Sequence, residues 1–313
     1  MTTASAISTT TPAASPSRGH RTARRPVIPG FAFSLGYSLF YLSLLVLIPL
    51  GALVIKSAQL TWAQFWETVT SDHVVAAYRL SLQASAAAAV INSVFGLIVA
   101  WVLVRYPFPG RRIFDAVVDF PFALPTAVAG LTFGSLFMKV PFVDQVKLGT
   151  WITQGWNAIA GAVECLRLNP ETLSGLDEFK VILMLTFVSL PFVIRTVQPV
   201  LQDWEVENEQ AAASLGAGRW RTFRKVVFPH LMPAWLSGVA LAFARSVGEY
   251  GSVIFVTGNI PGKSQIAPLQ IMEKLDDFRY AEATAIAVVL LGVSLAVLLL
   301  INGIEWWGRR HQR

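Results

Sequence analysis

The sequence predicts an all-α membrane protein with six transmembrane helices, on three observations. Hydrophobic residues make up 54% of the 313-residue chain and charged residues only 14%, whereas a soluble domain carries about 25% charge. Six apolar runs, at 31–55, 76–104, 113–137, 181–201, 234–256 and 281–307, reach the ~17–25 residues that a helix rising about 1.5 Å per residue needs to cross a hydrocarbon core. The runs are continuous rather than alternating, so they read as helices, which satisfy their own backbone in lipid, and not as barrel strands.

The charged residues order these runs across a membrane. Arg18, Arg21, Arg24 and Arg25 precede the first run, and Arg105, Arg111 and Arg112 lie between the second and third. Arg219, Arg221, Arg224 and Lys225 lie between the fourth and fifth, and Arg309, Arg310 and Arg313 follow the sixth. If six spans alternate, every cluster falls on one side, which the positive-inside rule makes cytoplasmic along with both termini. This accounts for the net charge of +6 better than nucleic-acid binding does, because the clusters are short and separated by spans.

Residues 1–29 precede the membrane domain at 30–308, and their Ser, Thr, Ala, Pro and Arg content reads as a disordered cytoplasmic tail. An organellar transit peptide has a similar composition; a cleavable secretory signal fits less well, since the first run is long enough to remain as a span. Residues 309–313 form a short basic tail. Pro121 and Pro125 fall inside the third run, Pro191 and Pro199 inside the fourth, where each removes a backbone donor and favours a kink able to shape a cavity. Trp62, Trp66, Trp204, Trp306 and Trp307 flank spans, as amphipathic rings do at membrane interfaces.

Between the third and fourth runs, Leu148, Ile152, Trp156, Ile159, Val163 and Leu166 recur at helical spacing, with Gln154, Asn157, Glu164 and Arg167 off that stripe. This predicts an amphipathic helix resting on the outer surface; a seventh crossing would invert every later segment. Cys165 is the only cysteine, so an internal disulfide is excluded, and no Cys/His cluster has metal-ligand spacing. The stretch GNIPGKS at 258–264 superficially resembles a phosphate loop. It has one residue too few between its glycines and follows a span rather than a strand, so the chain carries no such nucleotide site.

Residues 209–229, EQAAASLGAGRWRTFRKVVFP, form a polar segment between the fourth and fifth runs. Val206 to Leu215 favours helix, Gly216 and Gly218 break it, and Trp220, Phe223 and Val227 line one face of a second short helix closed by Pro229, with Arg221 and Lys225 opposite. On pattern alone, the loop at 203–232 is either a surface for a soluble partner or a helix pair that only sets topology.

The spacing Ala211-Ala212, Gly216, Val226, Phe228-Pro229 resembles the EAA loop of ABC importer permeases, in which small residues and a glycine let a short coupling helix fit a groove on the ATPase. The family's usual glutamate falls at Gln210, and Glu209 stands one residue earlier. Over residues 30 to 310 the likeness is more specific. The runs DFPFALPTAVAGLTFGSLF, LPFVIRTVQPVLQ and ALAFARSVGEYGSVIFVTGNIPGKS, at 119–137, 190–202 and 240–264, resemble the T-type permease subunits of bacterial sulfate/thiosulfate importers. That resemblance implies a type I ABC importer permease fold in a bacterial inner membrane, rather than an organellar envelope. It further implies a W-type permease partner, two ATPase subunits that hold ATP and Mg, and a periplasmic sulfate-binding protein. The ATPase-coupling residues would be Glu209, Gln210, Ala211, Ala212 and Gly216.

Charges inside the spans are the candidates for an anion path. Arg245 lies eleven residues into the fifth run, about 17 Å along a helix, where a lone charge costs several kcal/mol and must face the bundle or a cavity. Glu249 is one turn on and can pair with it. Arg195 in the fourth run either snorkels inward or joins the path, since guanidinium donors match tetrahedral oxyanions. Ser246, Thr126, Thr132 and Asn92 can add neutral donors. A molybdate or other oxyanion permease is the alternative within this class. A self-contained anion channel, a secondary carrier or a non-transporting membrane anchor are the alternatives outside it.

Overall fold

The computed structural model describes residues 31–139, 177–262 and 264–310, all of them in helices, turns or loops. The chain divides into two units, Met1–Leu50 and Gly51–Arg313. The first contributes the start of α1 (Phe31–Ser57). In the second, α2 (Trp62–Val69) begins at a capping box in which Thr61 and Gln64 bond each other's backbone N–H. It is followed by α3 (Asp72–Arg105), α4 (Arg111–Val118), α5 (Phe120–Ala123), α6 (Thr126–Lys139) and α7 (Asp177–Gln202). Then come α8 (Glu207–Ser214), α9 (Arg219–Thr222), a π-helical turn (Phe223–Val227), α10 (Phe228–Val247), α11 (Ala267–Asp276) and α12 (Tyr280–Arg310).

Five helices among the described residues are long and apolar enough to cross a membrane: Phe33–Ser57, Asp72–Arg105, Glu178–Gln202, Arg219–Val247 and Tyr280–Gly303. The third predicted run, 113–137, is not one helix but α4, α5 and α6 in succession. Its prolines explain the break. Pro121 sits in the first turn of α5, where its missing N–H has no intrahelical partner to lose, and Leu124, which precedes Pro125, is held extended with ψ 132°. By contrast α7 continues through Pro191 and Pro199, where α3 and α10 both pack along it and neighbouring helices help a proline-containing helix to persist. The tail at 1–29, Cys165 and the outer-surface helix expected over 148–166 lie outside the described residues.

The core is a three-helix packing of α3, α7 and α10. The buried stripe of α3 is made of small residues, including Ala77, Ser81, Ala84, Ala88, Asn92, Gly96 and Ala100, which let helix backbones approach where no hydrophobic driving force separates lipid from protein. A Cβ on Gly96 would stand 2.8 Å from Val193 Cβ, and one on Gly238 would stand 2.9 Å from Val193 Cα and crowd Thr196. Both neighbouring helices thus lean on one turn of α7. Hydrogen bonds join the same helices: Asn92 Nδ2 donates to Thr186 O at 3.0 Å and Ser189 Oγ at 2.8 Å. Trp235 Nε1 donates to Ser93 O at 2.8 Å, and the Ala267 N–H that starts α11 donates to Ser81 Oγ at 2.8 Å.

Even a methyl group at Gly238 must displace backbone. Gly238→Ala is expected to lower stability by about 1–3 kcal/mol, measured as earlier thermal unfolding of the purified protein in detergent.

Candidate coupling loop and charged sites

The predicted loop forms two helices with a sharp joint. Glu207 and Glu209 lie in the first turn of α8, where carboxylates complement the helix dipole. Its end is a Schellman motif: Gly216 N–H donates to Ala213 O at 2.9 Å and Ala217 N–H to Ala212 O at 3.0 Å. Gly216 takes φ +80° with open space where a Cβ would be, so glycine is needed for the left-handed turn rather than for room. Gln210 and Ala211 are exposed and Ala212 is half-buried. Leu215 and Trp220 are 89% and 72% exposed, leaving large apolar groups on either side of the joint.

Pro229 does not close the second helix: it occupies the first turn of α10, and the helix runs on from Arg219 to Val247. The π-helical turn just before it widens the backbone, relieving the clash between a proline ring and the carbonyl four residues earlier. Trp220 is 72% exposed yet stacks on Phe223 with ring centroids 5.7 Å apart, while Phe223 packs on the core and Val227 is buried. Arg221 and Lys225 are exposed, on the side predicted for them.

Glu209 does not project freely beside Gln210. Its Oε1 accepts from Arg105 Nη2 at the end of α3 and from Trp204 Nε1 at 3.0 Å. Trp204 is therefore a half-buried hydrogen-bond donor packed on His230, with ring centroids 4.7 Å apart. Behind the loop lies a hollow of about 380 Å³ lined by Trp101, Glu209, Gln210, Ala213, Phe223 and others.

The two candidate arginines within the long helices differ in how fully they are occupied. Arg195 donates through Nε and Nη2 to Asp119 at 2.7 and 2.6 Å, and through Nη1 to Asp115 Oδ1 at 2.9 Å and Gln198 Oε1 at 2.7 Å. Nη2 also donates to Asp115 O at 2.9 Å. All five guanidinium N–H groups are thereby engaged, and α7 is tied to α4 and α5. In this arrangement Arg195 has no donor left for an anion, nor does it snorkel away from the bundle.

Arg245 is less fully engaged. It is half-buried in the last turn of α10, which ends at Val247 instead of continuing to 256. Glu249, only 2% exposed, accepts from Arg245 Nη1 on one oxygen and from Ser252 N and Oγ, at 3.0 and 2.8 Å, on the other. This carboxylate-centred turn ends the helix while preserving the predicted pair. Nε and Nη2 of Arg245 make no bond among the described residues. Neighbouring Ser246 Oγ is buried and equally without a partner there.

The neutral candidates divide in the same way. Thr132 Oγ1 donates to Val128 O of its own helix at 2.9 Å, and the Asn92 amide nitrogen is engaged with α7. Thr126 lies against Gly251, where a Cβ would come 2.6 Å from its hydroxyl. Around this stretch Ser264 Oγ accepts from Ile260 N–H at 3.1 Å, and the next helix, α11, begins only at Ala267, unlike a phosphate loop opening directly into a helix. Asp115, Asp119, Gln198 and Ser252 were not among the residues singled out from the sequence, and Arg105 was read only as part of a basic cluster that orients the chain. Asp119 carried a signal, as an acid within an apolar run that must find a cation.

A multi-pass helical bundle that matches Arg105, Arg195 and Arg245 with carboxylates, and which exposes a short helix, a glycine joint and a second helix, fits a membrane permease subunit rather than an enzyme. The chain belongs to the family of binding-protein-dependent transport system inner membrane components, whose pattern covers residues 92–305. It is 47% identical over 289 residues to the sulfate transport system permease protein CysT of Escherichia coli, spanning 91% of this chain and 96% of that one. The CysT of Salmonella typhimurium is also 47% identical, over the same shares of both chains. In fold it resembles a bacterial ABC transporter involved in the import of the acidic polysaccharide alginate, with a TM-score of 0.65 at 14% identity over 90% of this chain and 96% of that one.

Replacing Asp119 by alanine removes two of the five bonds on Arg195. Because the Asp119 side chain is 50% exposed, the expected loss is about 1–2 kcal/mol rather than the penalty for a fully buried pair; thermal unfolding in detergent measures it.

Proposed function

We propose that this chain is one of the two membrane halves of an ATP-driven sulfate and thiosulfate importer, paired with a W-type permease. In this reading a periplasmic binding protein delivers the anion, and two ATPase subunits dock on the loop at 203–232. Those subunits hold the ATP and Mg. The observation that carries it is the exposed α8 surface, where Gln210 and Ala211 precede the left-handed Gly216 and are flanked by exposed Leu215 and Trp220. Small residues next to protruding apolar ones suit a groove on a partner. The sulfate reading is supported by likeness to the CysT permeases.

In this reading six spans alternate, with the broken third run crossing as one of them, so that the basic clusters, the loop and both termini share the cytoplasmic side. ATP-driven closure of the ATPase pair displaces α8, and the long helices carry that displacement toward an outward-facing state. Arg245 and Ser246 form the anion-facing element, since they retain donors while Glu249 keeps the arginine from standing alone in a low-dielectric bundle. A partly compensated guanidinium holds a divalent oxyanion weakly enough to release it. Arg195 serves as a structural tie in this scheme.

Two measurements test the reading. In a strain lacking its own sulfate permease and supplied with the partner subunits, the double variant Arg245→Ala with Glu249→Ala is expected to assemble normally while labelled sulfate uptake falls about tenfold or more. Unchanged uptake removes the pair from the path, and uptake of labelled molybdate in preference to sulfate changes the substrate. The variant Ala211→Trp, which adds bulk on the exposed α8 face without straining the Gly216 turn, is expected to abolish co-purification of the ATPase. Retention of the ATPase by the variant defeats docking on this face of α8, whereas a parent protein that co-purifies with no ATPase would favour a self-contained channel or carrier.

A further inference from the structure

The helix α8 buries none of its side chains, so apolar packing does not secure it to the bundle. What reaches it from α3 is Arg105, the last residue of that helix, whose Nη2 donates to Glu209 Oε1. Arg105 was expected to be a surface charge that orients the chain, yet its side chain is 17% exposed and its Nε is buried without a partner. Its guanidinium carbon lies 5.2 Å from the Trp101 ring centroid, and Trp101 meets Phe223 edge-on at 5.4 Å. A second donor, Trp204 Nε1, holds the same carboxylate oxygen from just beyond the end of α7. A desolvated guanidinium with one committed carboxylate makes a stiffer link than a surface ion pair, because withdrawing the carboxylate leaves a buried charge behind.

The helix on the other side of this link is a rod. It has 34 residues, about 50 Å at the usual helical rise. It is locked to α7 through Asn92 and Gly96, and its far end places His73 against the turn at Gly262, where a Cβ would stand 3.2 Å from His73 Nδ1.

We infer that Arg105 is a positioning residue for coupling: its ion pair with Glu209 passes displacement of α8 to α3, and through α3 to the opposite end of the bundle. The inference rests on the docking of an ATPase at α8. Loss of the pair leaves α8 able to receive the ATPase but unable to move α3 with it, so hydrolysis continues while transport fails.

The test uses the whole complex, with partner permease, ATPase subunits and binding protein, reconstituted in proteoliposomes. Labelled sulfate uptake and ATP hydrolysis are measured on the same preparation. For Arg105→Gln the hydrolysis rate is expected to stay within about twofold of the parent while uptake per ATP falls about tenfold. Arg105→Lys is expected to recover part of that ratio, and the exchange Arg105→Glu with Glu209→Arg most of it. The inference is overturned if Arg105→Gln leaves the ratio unchanged, if neither lysine nor the charge exchange restores it, or if uptake, hydrolysis and assembly fall together. Ala211→Trp is assayed alongside. Retention of the ATPase by that variant defeats the docking reading and the inference with it; loss of the ATPase, with an unchanged ratio in Arg105→Gln, defeats the inference alone.

Discussion

A guanidinium taken out of water must find a carboxylate, and the architecture of this chain is organised around meeting that demand three times. Arg195 is matched by Asp115 and Asp119, Arg245 by Glu249 and Arg105 by Glu209. Each match joins segments that packing alone would hold less specifically. The first fastens the proline-broken stretch α4–α5 to α7, the second shapes the end of α10, and the third secures a helix that has no buried face.

The degree of compensation differs among the three. Arg195 has every donor engaged, so it supplies rigidity. Arg245 has one donor on Glu249, and the Ser246 hydroxyl beside it has no partner among the described residues. Arg105 couples through a single carboxylate oxygen. The small-residue stripe of α3 makes this arrangement possible, since close approach of α3, α7 and α10 around Val193 holds the helices in one register.

Much of the fold was legible in local sequence. Long continuous apolar runs set the helical class, and the glycine at 216 marked the joint because a left-handed turn admits few other residues. The i,i+4 spacing of Arg245 and Glu249 was enough to pair them, even though the helix ends between them. Less legible were the breaks: prolines at 121 and 125 split their run, whereas those at 191 and 199 did not. The same residue acted differently in α7, which is flanked by two packed helices.

By itself, therefore, the sequence determined what depends on neighbours along the chain: the helical class, the long apolar spans, the helix–glycine–helix loop and the one-turn ion pair. The tertiary structure alone decided which charges remain available. Arg195 meets carboxylates 76 and 80 residues away, and Arg105 meets one 104 residues away. Such partners are chosen by how helices pack, because no local periodicity encodes which distant carboxylate lies within hydrogen-bond reach.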